Sequence, residues 1–245
     1  HPGRSLEKGV WITDNWSQGY FHWFTDALPR AIVSERVASG YPILLPDTYG
    51  SLPFVAASLE LLGLKAIHFD PSCRVMVKDL LLPSHTASTG NYNRAIMQEL
   101  RDRMVPKPSS KQGRRIFISR SKAARRSIVN EEEVVRVLIR SGFEIHHFED
   151  LGLEEQIHLM NGAGTVVGLH GAGLTNMLFM PAGGRVLEIR NRNDAANNCY
   201  YSLASDLDHR YYYLLAGGNT EDTHVVDVQV DTDELERTVH AMLAQ

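Results

Sequence analysis

The chain has 245 residues, 43% of them hydrophobic, and a formal net charge of −4. This length allows one large domain or two of roughly 100–130 residues each. The charge gives no reason to expect a broad nucleic-acid surface, and no apolar run approaches the roughly 20 residues that span a bilayer. Two distant cysteines, Cys73 and Cys199, suggest neither a disulfide framework nor a zinc site. We therefore expect a cytoplasmic location, with the membrane periphery as the alternative.

The first half of the chain alternates between strand-like and helix-like segments. The helix that begins after Gly19 carries Leu28 and Ile32 on its apolar face, and Pro29 is expected to bend or restart it. Short connections between alternating elements predict a parallel α/β sheet. The predicted strands are residues 10–13, 41–46, 66–69 and 74–82, and the remaining helices are residues 51–62, ended by Gly63, and 91–104.

A polar stripe runs along the first predicted helix. His22, Asp26 and Arg30 are spaced i, i+4, i+8, so they lie on one side of the helix. Aromatic residues, including Tyr20 and Trp23, surround them and predict that the segment is largely buried. Ionisable residues among aromatic rings favour a binding site, and ring faces beside carboxylates suit sugars. We therefore expect Tyr20, Trp23 and Arg30 to contact such a ligand, although a surface polar row remains the alternative.

Residues 105–113 break the alternating pattern. They are polar, contain two prolines and have no hydrophobic period, which is typical of a linker. We predict two domains, residues 1–107 and 114–245; one long surface loop within a single domain is the alternative.

The second half again alternates strands and helices. Asn130 is predicted to cap the helix that follows it, and Asp231 to cap the last helix. A basic loop, residues 120–127, follows the first strand. The predicted strands are residues 115–119, 144–148, 165–167, 185–190, 210–215 and 224–230, and the helices are residues 131–141, 153–161, 197–205 and the C-terminal segment.

A glycine-rich turn follows the strand at residues 165–167. Gly168, Gly171 and Gly173 flank His170, and residues 174–180 resemble the start of a helix. Strand, glycine turn and helix together aim backbone N–H groups at a phosphate. Close helix packing is the alternative reason for the glycines. We expect a nucleoside diphosphate group to bind at this turn. The expected contacts come from His170, Gly171, Ala172, Gly173, Thr175 and Asn176.

Two other segments are predicted to reach the same edge of the sheet as the glycine turn. Ligands of parallel sheets collect at the carboxyl ends of the strands. The basic loop offers Arg120, Ser121, Lys122 and Arg125 to phosphate, and Glu188 offers a carboxylate to ribose hydroxyls. Arg125 could instead belong to a solvated loop face, and Glu188 could pair with Arg190 or a neighbouring strand.

The sequence predicts neither a metal site nor a cofactor. Asp-x-Asp occurs at residues 206–208 and 231–233, but both sites are read as structural because aspartate favours helix ends. His146 and His147 point to opposite faces of a strand, so they are poor joint ligands.

These motifs together resemble a known family. Residues 20–30, YFHWFTDALPR, combined with residues 168–181, GLHGAGLTNMLFMP, and residues 186–189, VLEI, are similar to glycosyltransferase family 61. The family includes bacterial capsular and exopolysaccharide enzymes, plant xylosyl- and arabinosyltransferases and eukaryotic N-acetylglucosaminyltransferases. The bacterial type is the one expected here.

The resemblance implies an α/β, GT-B-like fold, with two Rossmann-type domains facing across a cleft. It also implies an inverting, metal-independent transfer in polysaccharide biosynthesis. The partners would be a nucleotide-sugar donor on the second domain and a glycan acceptor on the first, without nucleic acid.

An inverting transfer needs a base for the acceptor hydroxyl and positive charge for the departing diphosphate. Asp26 is the expected base, with His22 orienting the acceptor or sharing the proton; the reverse order remains open. His170 and Arg120 would stabilise the leaving group.

Two other function classes compete with this hypothesis. A dinucleotide-dependent oxidoreductase or epimerase would need G-x-G-x-x-G near the start of a domain, and neither half contains it. A non-catalytic nucleotide-sugar-binding subunit of a polysaccharide machine is the third hypothesis.

Overall fold

A computed structural model describes residues 4–105, 113–123, 125–194, 197–220, 222 and 225–245. The chain divides into two compact units, His1–Pro106 and Lys107–Gln245. The predicted linker at residues 105–113 lies at this division, and residues 106–112 fall outside the described part.

The first unit is built on a four-stranded parallel sheet with strand order β3-β2-β1-β4. Three helices, α2, α3 and α4, contribute much of its buried apolar surface. Gly63 ends α3 in a left-handed conformation, φ 68°, as predicted. The elements are β1 (Arg4–Val10), α1 (Tyr20–His22), α2 (Leu28–Glu35), β2 (Ile43–Pro46), α3 (Pro53–Leu62), β3 (Ala66–Phe69), β4 (Val75–Leu81) and α4 (Arg94–Met104).

The first strand lies earlier than predicted. It ends at Val10, and Trp11 adds one more hydrogen bond, from its N–H to the Leu81 carbonyl, 3.0 Å. The prediction of a strand over residues 10–13 was wrong because most of β1 is polar and partly exposed. Its pairing with β4 extends from Arg4 to Val10, so backbone pairing rather than apolar burial defines it.

A π-helical turn, Trp23–Ala27, connects α1 to α2 without a break. The Leu28 N–H donates to the Trp23 carbonyl, five residues back. Pro29 follows directly; because proline has no N–H and its ring crowds the preceding turn, the α-helical hydrogen-bond pattern gives way to the π turn and resumes in α2. Pro29 was expected to bend or restart the helix; the hydrogen-bond pattern restarts there, but the helix itself is continuous, and the widened turn contains Asp26.

The second unit has a six-stranded sheet with order β10-β9-β8-β7-β5-β6, parallel except for the β9–β10 pair. One apolar core joins the central strands to α5 and α8 and includes Phe117, Val167, Leu187 and Leu235. The elements are β5 (Arg114–Ile118), α5 (Glu131–Arg140), β6 (Glu144–His146), α6 (Leu153–Asn161), β7 (Ala163–Leu169), β8 (Arg185–Asn191), α7 (Cys199–Asp206), β9 (Arg210–Gly218), β10 (Val228–Gln229) and α8 (Thr232–Leu243).

Two details of the second unit differ from prediction. The helix predicted to start at residue 174 starts two residues earlier and is a 3₁₀ helix, Ala172–Phe179. Asn130 occupies the predicted cap position, but its side chain does not cap α5. Its amide instead bonds both the N–H and the carbonyl of Val230, at 3.0 and 2.9 Å, which ties α5 to the end of β10. His224, in the predicted last strand, lies outside the described residues.

Candidate functional site

A polar cluster of the first unit lies beyond the carboxyl ends of β1 and β4. Val10 and Leu81 are paired in register, and both are the last residues of their strands. Asp14 and His85 each follow these ends by four residues. The π-helical turn brings Asp26 to the same place. Carboxyl ends of parallel strands are where α/β sheets bind ligands.

Five side chains form this cluster, which we call the acidic cluster: Asp14, His22, Asp26, Arg30 and His85. Short distances connect them. His22 Nδ1 lies 2.7 Å from Asp26 Oδ2, and Arg30 Nη2 lies 2.7 Å from Asp14 Oδ2. His85 lies between the two carboxylates, with Nε2 3.3 Å from Asp14 Oδ2 and Nδ1 3.9 Å from Asp26 Oδ1. The His85 imidazole thus faces both Asp14 and Asp26, whereas the His22 imidazole contacts Asp26.

The two carboxylates of the acidic cluster differ in whether a positive charge neutralises them. Burial disfavours the ionised Asp14, but hydrogen bonds from Trp16, Ser17 and Arg30 outweigh it and hold the pKa of Asp14 below its ordinary value. Arg30 therefore neutralises Asp14. With both imidazoles neutral, the two acids and one arginine give a net charge of −1, centred on Asp26.

His22 and Asp26 differ in exposure. The Asp26 side chain is 5% exposed and the His22 side chain 24%. Because Asp26 occupies Nδ1 of His22, only Nε2 of that ring can meet an incoming hydroxyl. The carboxylate therefore fixes the orientation of the ring, as an aspartate does in other Asp–His pairs. The predicted pair is thus brought together.

The three residues predicted to contact an acceptor have different surroundings. Trp23 is fully buried, and its indole N–H donates to Ser58 Oγ at 2.9 Å, so its prediction as a ligand contact was wrong. Tyr20 is half-buried and packs on Phe24. Arg30 is buried within the acidic cluster, where it binds Asp14 and the Asp26 carbonyl instead of facing a ligand.

Two guanidinium groups converge on the glycine turn in the second unit. A Cβ placed on Gly171 would lie 3.2 Å from Arg120 Nη1 and 3.5 Å from Arg126 Nη2. Burial and the charge of Arg126 lower the pKa of Arg120, so two like charges are held close together. Within the described residues, no carboxylate lies within 4.0 Å of either group. We call Arg120, Arg126 and Gly171 the cationic turn.

Arg120 is positioned by the backbone of its own loop. Its Nε donates to the Arg126 carbonyl at 2.8 Å and its Nη2 to the Arg125 carbonyl at 2.6 Å. The predicted meeting of the basic loop and the glycine turn is therefore present through Arg120. Arg126, with φ 58°, joins it and also lines a small cavity with His170 and Asp194.

The other basic-loop residues have different partners. Ser121 Oγ lies 2.8 Å from His147 Nε2, and Lys122 forms an ion pair with Asp150. The Arg125 side chain is exposed, and only its carbonyl reaches Arg120. The structure gives no support for donor contacts from Ser121, Lys122 or the Arg125 side chain, because the first two are engaged elsewhere and Arg126 occupies the place expected for Arg125.

The glycines of the turn have different functions. A Cβ on Gly173 would lie 3.1 Å from Ile118 Cγ2, and one on Gly168 would lie 3.1 Å from Leu174 Cδ2. These two glycines therefore permit close packing of the 3₁₀ helix, as the alternative interpretation proposed. Only Gly171 faces the guanidiniums.

The remaining turn residues have mostly buried side chains. Thr175 and Asn176 are each 1% exposed, and Asn176 Nδ2 donates to the Gly173 carbonyl at 3.0 Å. Their side chains belong to the packing of the turn, which contradicts their prediction as donor contacts. Ala172 is half-buried at the start of the 3₁₀ helix.

His170 is fixed by a buried polar network. Its Nδ1 bonds Glu188, and the other oxygen of Glu188 accepts from the Tyr211 hydroxyl. Glu188 is 1% exposed, so its prediction as a ribose ligand was wrong: it orients His170 instead. Burial opposes the charge of Arg190, but Glu188 raises its pKa, which keeps a positive charge beside the carboxylate.

The two Asp-x-Asp sequences lie at helix ends. Asp231 caps α8 by accepting from the N–H groups of Asp233 and Glu234, at 3.0 and 2.9 Å. Asp206 ends α7, and Asp208 adopts φ 61° in the following turn. Among the described residues, no group of three or more acidic, histidine or cysteine side chains is arranged to hold a metal ion.

Sequence reasoning missed Asp14, Trp16, His85 and Arg126. The signal for Asp14 and His85 was their equal distance from two paired strand ends, but it becomes visible only when the β1–β4 register is known. Trp16 is 71% exposed and its ring lies 5.8 Å from that of His22, between ring centroids. Arg126 was recognised as basic, but the turn that directs it to Gly171 has no marker in the sequence.

Comparisons with known proteins identify the family of the chain. The family model described as glycosyltransferase 61 matches residues 20–187. The mouse EGF domain-specific O-linked N-acetylglucosamine transferase is 32% identical over 216 residues, which cover 83% of this chain and 38% of that protein. The rice β-1,2-xylosyltransferase XAX1 is 27% identical over 84% of this chain and 41% of its own.

The chain therefore spans about two fifths of the length of these curated relatives. Among solved structures, the E. coli heptosyltransferase WaaC with ADP matches with a TM-score of 0.45 and 11% identity, over 97% of this chain and 99% of the other. No helix in the described residues is long and apolar enough to cross a membrane. The family match covers more than half of the chain and contains both the acidic cluster's helix and the cationic turn, so this chain belongs to the glycosyltransferase 61 family.

Proposed function

We propose that this chain transfers a sugar from a nucleotide-sugar donor to a saccharide hydroxyl, with inversion and without a metal ion. The observation that carries the proposal is the 2.7 Å pair of His22 and Asp26, formed within a segment that matches a glycosyltransferase family. The first unit activates the acceptor and the second unit binds the donor. The GT-B-like arrangement of the two units stays a prediction.

His22 is the general base of this proposal. Its Nε2 takes the proton of the acceptor hydroxyl while that oxygen attacks the anomeric carbon of the donor sugar. The bond between that carbon and the phosphate oxygen breaks, and the nucleoside diphosphate leaves with the bonding electrons. Asp26, buried against Nδ1, stabilises the imidazolium that forms. This assignment reverses the expected order of base and helper, because the exposed member of the pair is the imidazole.

The cationic turn stabilises the leaving diphosphate. Arg120 and Arg126 are held beside Gly171, and both lack a carboxylate within 4.0 Å in the described part of the chain. Bringing two like charges together is unfavourable until an anion binds between them, and guanidiniums match phosphate oxygens in pairs. Fixed positive charge at the leaving group is also what a divalent cation supplies in metal-dependent transferases. We therefore propose that a chelator leaves the transfer rate unchanged.

The names of the relatives suggest which donors to test first. One transfers N-acetylglucosamine and the other xylose. We propose a nucleotide-activated derivative of one of these sugars as donor, and a role in building a polysaccharide.

A thermal-shift panel followed by transfer assays tests the proposal. Nucleoside diphosphates and their N-acetylglucosamine and xylose derivatives are added to the wild-type chain, because a ligand of the folded state raises the melting temperature. A donor that stabilises the protein is then incubated with oligosaccharides, and the anomeric configuration of the product is read by NMR. A chain that binds donors but transfers no sugar is a binding subunit, and that result contradicts the proposal.

A further inference from the structure

The three tryptophans of the chain have contrasting surroundings, and all lie in the first unit. Trp23 is fully buried, and Trp11 is half-buried with its indole N–H donating to the Thr13 carbonyl at 2.8 Å. Trp16 is 71% exposed. Leaving an indole in water forgoes its burial, which is worth about 25 cal/mol per Å² of apolar surface. The packing of the unit therefore does not account for this side chain.

The segment that carries Trp16 is nevertheless well fixed. Its backbone N–H donates to Asp14 Oδ1 at 2.9 Å, and its carbonyl accepts from the Gly19 N–H at 2.9 Å. Ser17 closes the turn, since its hydroxyl donates to Asp14 Oδ1 and also accepts from the Asp14 N–H, both at 3.0 Å. An exposed aromatic ring thus lies on a turn that these hydrogen bonds hold in place.

Asp14 connects this turn to the acidic cluster. Its Oδ1 holds the turn, and its Oδ2 binds Arg30 at 2.7 Å and faces His85 at 3.3 Å. The position of Trp16 is therefore coupled to the position of the residues around Asp26. The indole and the His22 imidazole lie 5.8 Å apart between centroids, with planes inclined by 36°. An apolar ring face stands directly beside the proposed base.

We infer that Trp16 is the platform on which the sugar ring of the acceptor stacks, so that the acceptor is a saccharide and not an unglycosylated polypeptide hydroxyl. This inference rests on the proposed function, and in particular on His22 as the base. Pyranose rings have one face lined with C–H groups, which packs on an aromatic face, and hydroxyls at the rim that project past it. A sugar on Trp16 would hold one rim hydroxyl next to His22.

Fluorine NMR tests whether Trp16 binds sugars, before any acceptor is known. The chain is labelled with 5-fluorotryptophan, which gives one signal for each of its three tryptophans, and a Trp16→Phe variant identifies the relevant signal. The probes are xylotetraose, cellotetraose and chitotetraose. We expect the Trp16 signal to move saturably with at least one of them while the buried Trp23 signal stays in place.

A second outcome separates this inference from the proposed function. If nucleoside diphosphates stabilise the chain but none of the three oligosaccharides moves the Trp16 signal, the platform is overturned while donor binding stands. If neither class of probe binds, the proposed function itself fails.

Kinetics of Trp16→Ala tests the role in transfer. We expect the KM for a saccharide acceptor to rise about tenfold, with kcat and the donor KM unchanged, because the variant loses the apolar ring face that holds the acceptor but keeps the proposed base. The melting temperature should stay unchanged because the side chain is exposed. Trp16→Tyr should recover most of the affinity. Tyr213→Ala, which removes a 59% exposed ring from the second unit, is the matched control. An unchanged acceptor KM in Trp16→Ala overturns the inference.

Discussion

The acidic cluster and the cationic turn follow the same rule of position but differ in charge and construction. Both lie at the carboxyl ends of parallel strands. The acidic cluster draws four of its five residues from one short segment, residues 14–30, whereas the cationic turn joins residues about 50 positions apart. The acidic cluster carries excess negative charge beside an accessible imidazole. The cationic turn holds two guanidiniums together, and within the described residues neither forms an ion pair with a carboxylate, although Glu149 and Glu131 act on Arg120 from a greater distance.

This difference matches the two halves of a group transfer. A site that removes a proton needs an oriented base, and in the proposed mechanism that base is His22, held by the buried Asp26. A site that releases a diphosphate needs positive charge that is not already neutralised, which the pair of guanidiniums provides. If this comparison is correct, substitutions in the two clusters must affect different steps.

The largest expected effect comes from the base. His22→Ala should lower kcat about 10²- to 10⁴-fold, the usual contribution of general base catalysis, while the donor KM stays constant. Asp26→Asn should lower kcat in the same direction, because the imidazolium loses its partner. Steady-state transfer assays measure both. His68→Ala removes an exposed histidine of the same unit and should keep full activity; retained activity in both cluster variants would falsify the assignment.

The buried network under the cationic turn gives the next effect. Glu188→Gln keeps the shape but removes the charge shared by His170, Tyr211 and Arg190, so the free energy of unfolding should fall by about 2–3 kcal/mol. Tyr211→Phe removes one hydrogen bond and should cost about 1 kcal/mol. Urea unfolding measures both. Equal losses in the two variants would show that the charge of Glu188 adds nothing.

The guanidinium pair is tested by a matched pair of arginine substitutions. Arg126→Ala should weaken nucleoside diphosphate binding about tenfold, because a charged hydrogen bond to phosphate contributes about 1.5 kcal/mol or more. Arg125→Ala removes an exposed neighbour whose carbonyl alone contacts Arg120, so the affinity should not change. Isothermal titration calorimetry gives both values. A larger loss in Arg125→Ala would return the donor contact to the residue first predicted.

The smallest effect concerns acid stability. The pKa of Asp14 is lowered by folding, so its contribution to stability is present above its unfolded pKa, near 3.8, and is lost as the pH falls through the folded pKa. In Asp14→Asn, the free energy of unfolding should depend less steeply on pH below about 4 than in the wild type. Urea titrations at several acidic pH values measure the slope. Parallel slopes in the two proteins would contradict the depressed pKa.

Much of the fold could be predicted from the sequence because its signals are local. Gly63 ends its helix, Pro29 restarts another, and Asp231 caps the last one, each through the conformational limits of a single residue. The position of β1 was predicted wrongly because polar residues dominate the strand. Its pairing with β4 could not be inferred from hydrophobic periodicity. The 3₁₀ form of Ala172–Phe179 likewise has no marker in the sequence.

The candidate site was predictable where its residues share one helix. His22 and Asp26 are one turn apart, so their contact follows from helix geometry. Trp23 and Glu188 were misassigned because residue type indicates chemistry but not the direction of a side chain. Both side chains are buried: Trp23 belongs to the core of the first unit, and Glu188 hydrogen-bonds to His170.

The π-helical turn imposes a strict chain length between the aromatic residues and Pro29. It contains one residue more than an α-helical path would use to bridge the same rise, since its hydrogen bond from Leu28 to Trp23 spans five residues. Removing Ala27 would restore the ordinary period and rotate His22 and Asp26 together by about 100° relative to Arg30 in α2. The pair would then turn away from Arg30 although all five side chains of the acidic cluster were still present, so this deletion should strongly lower the rate in steady-state transfer assays.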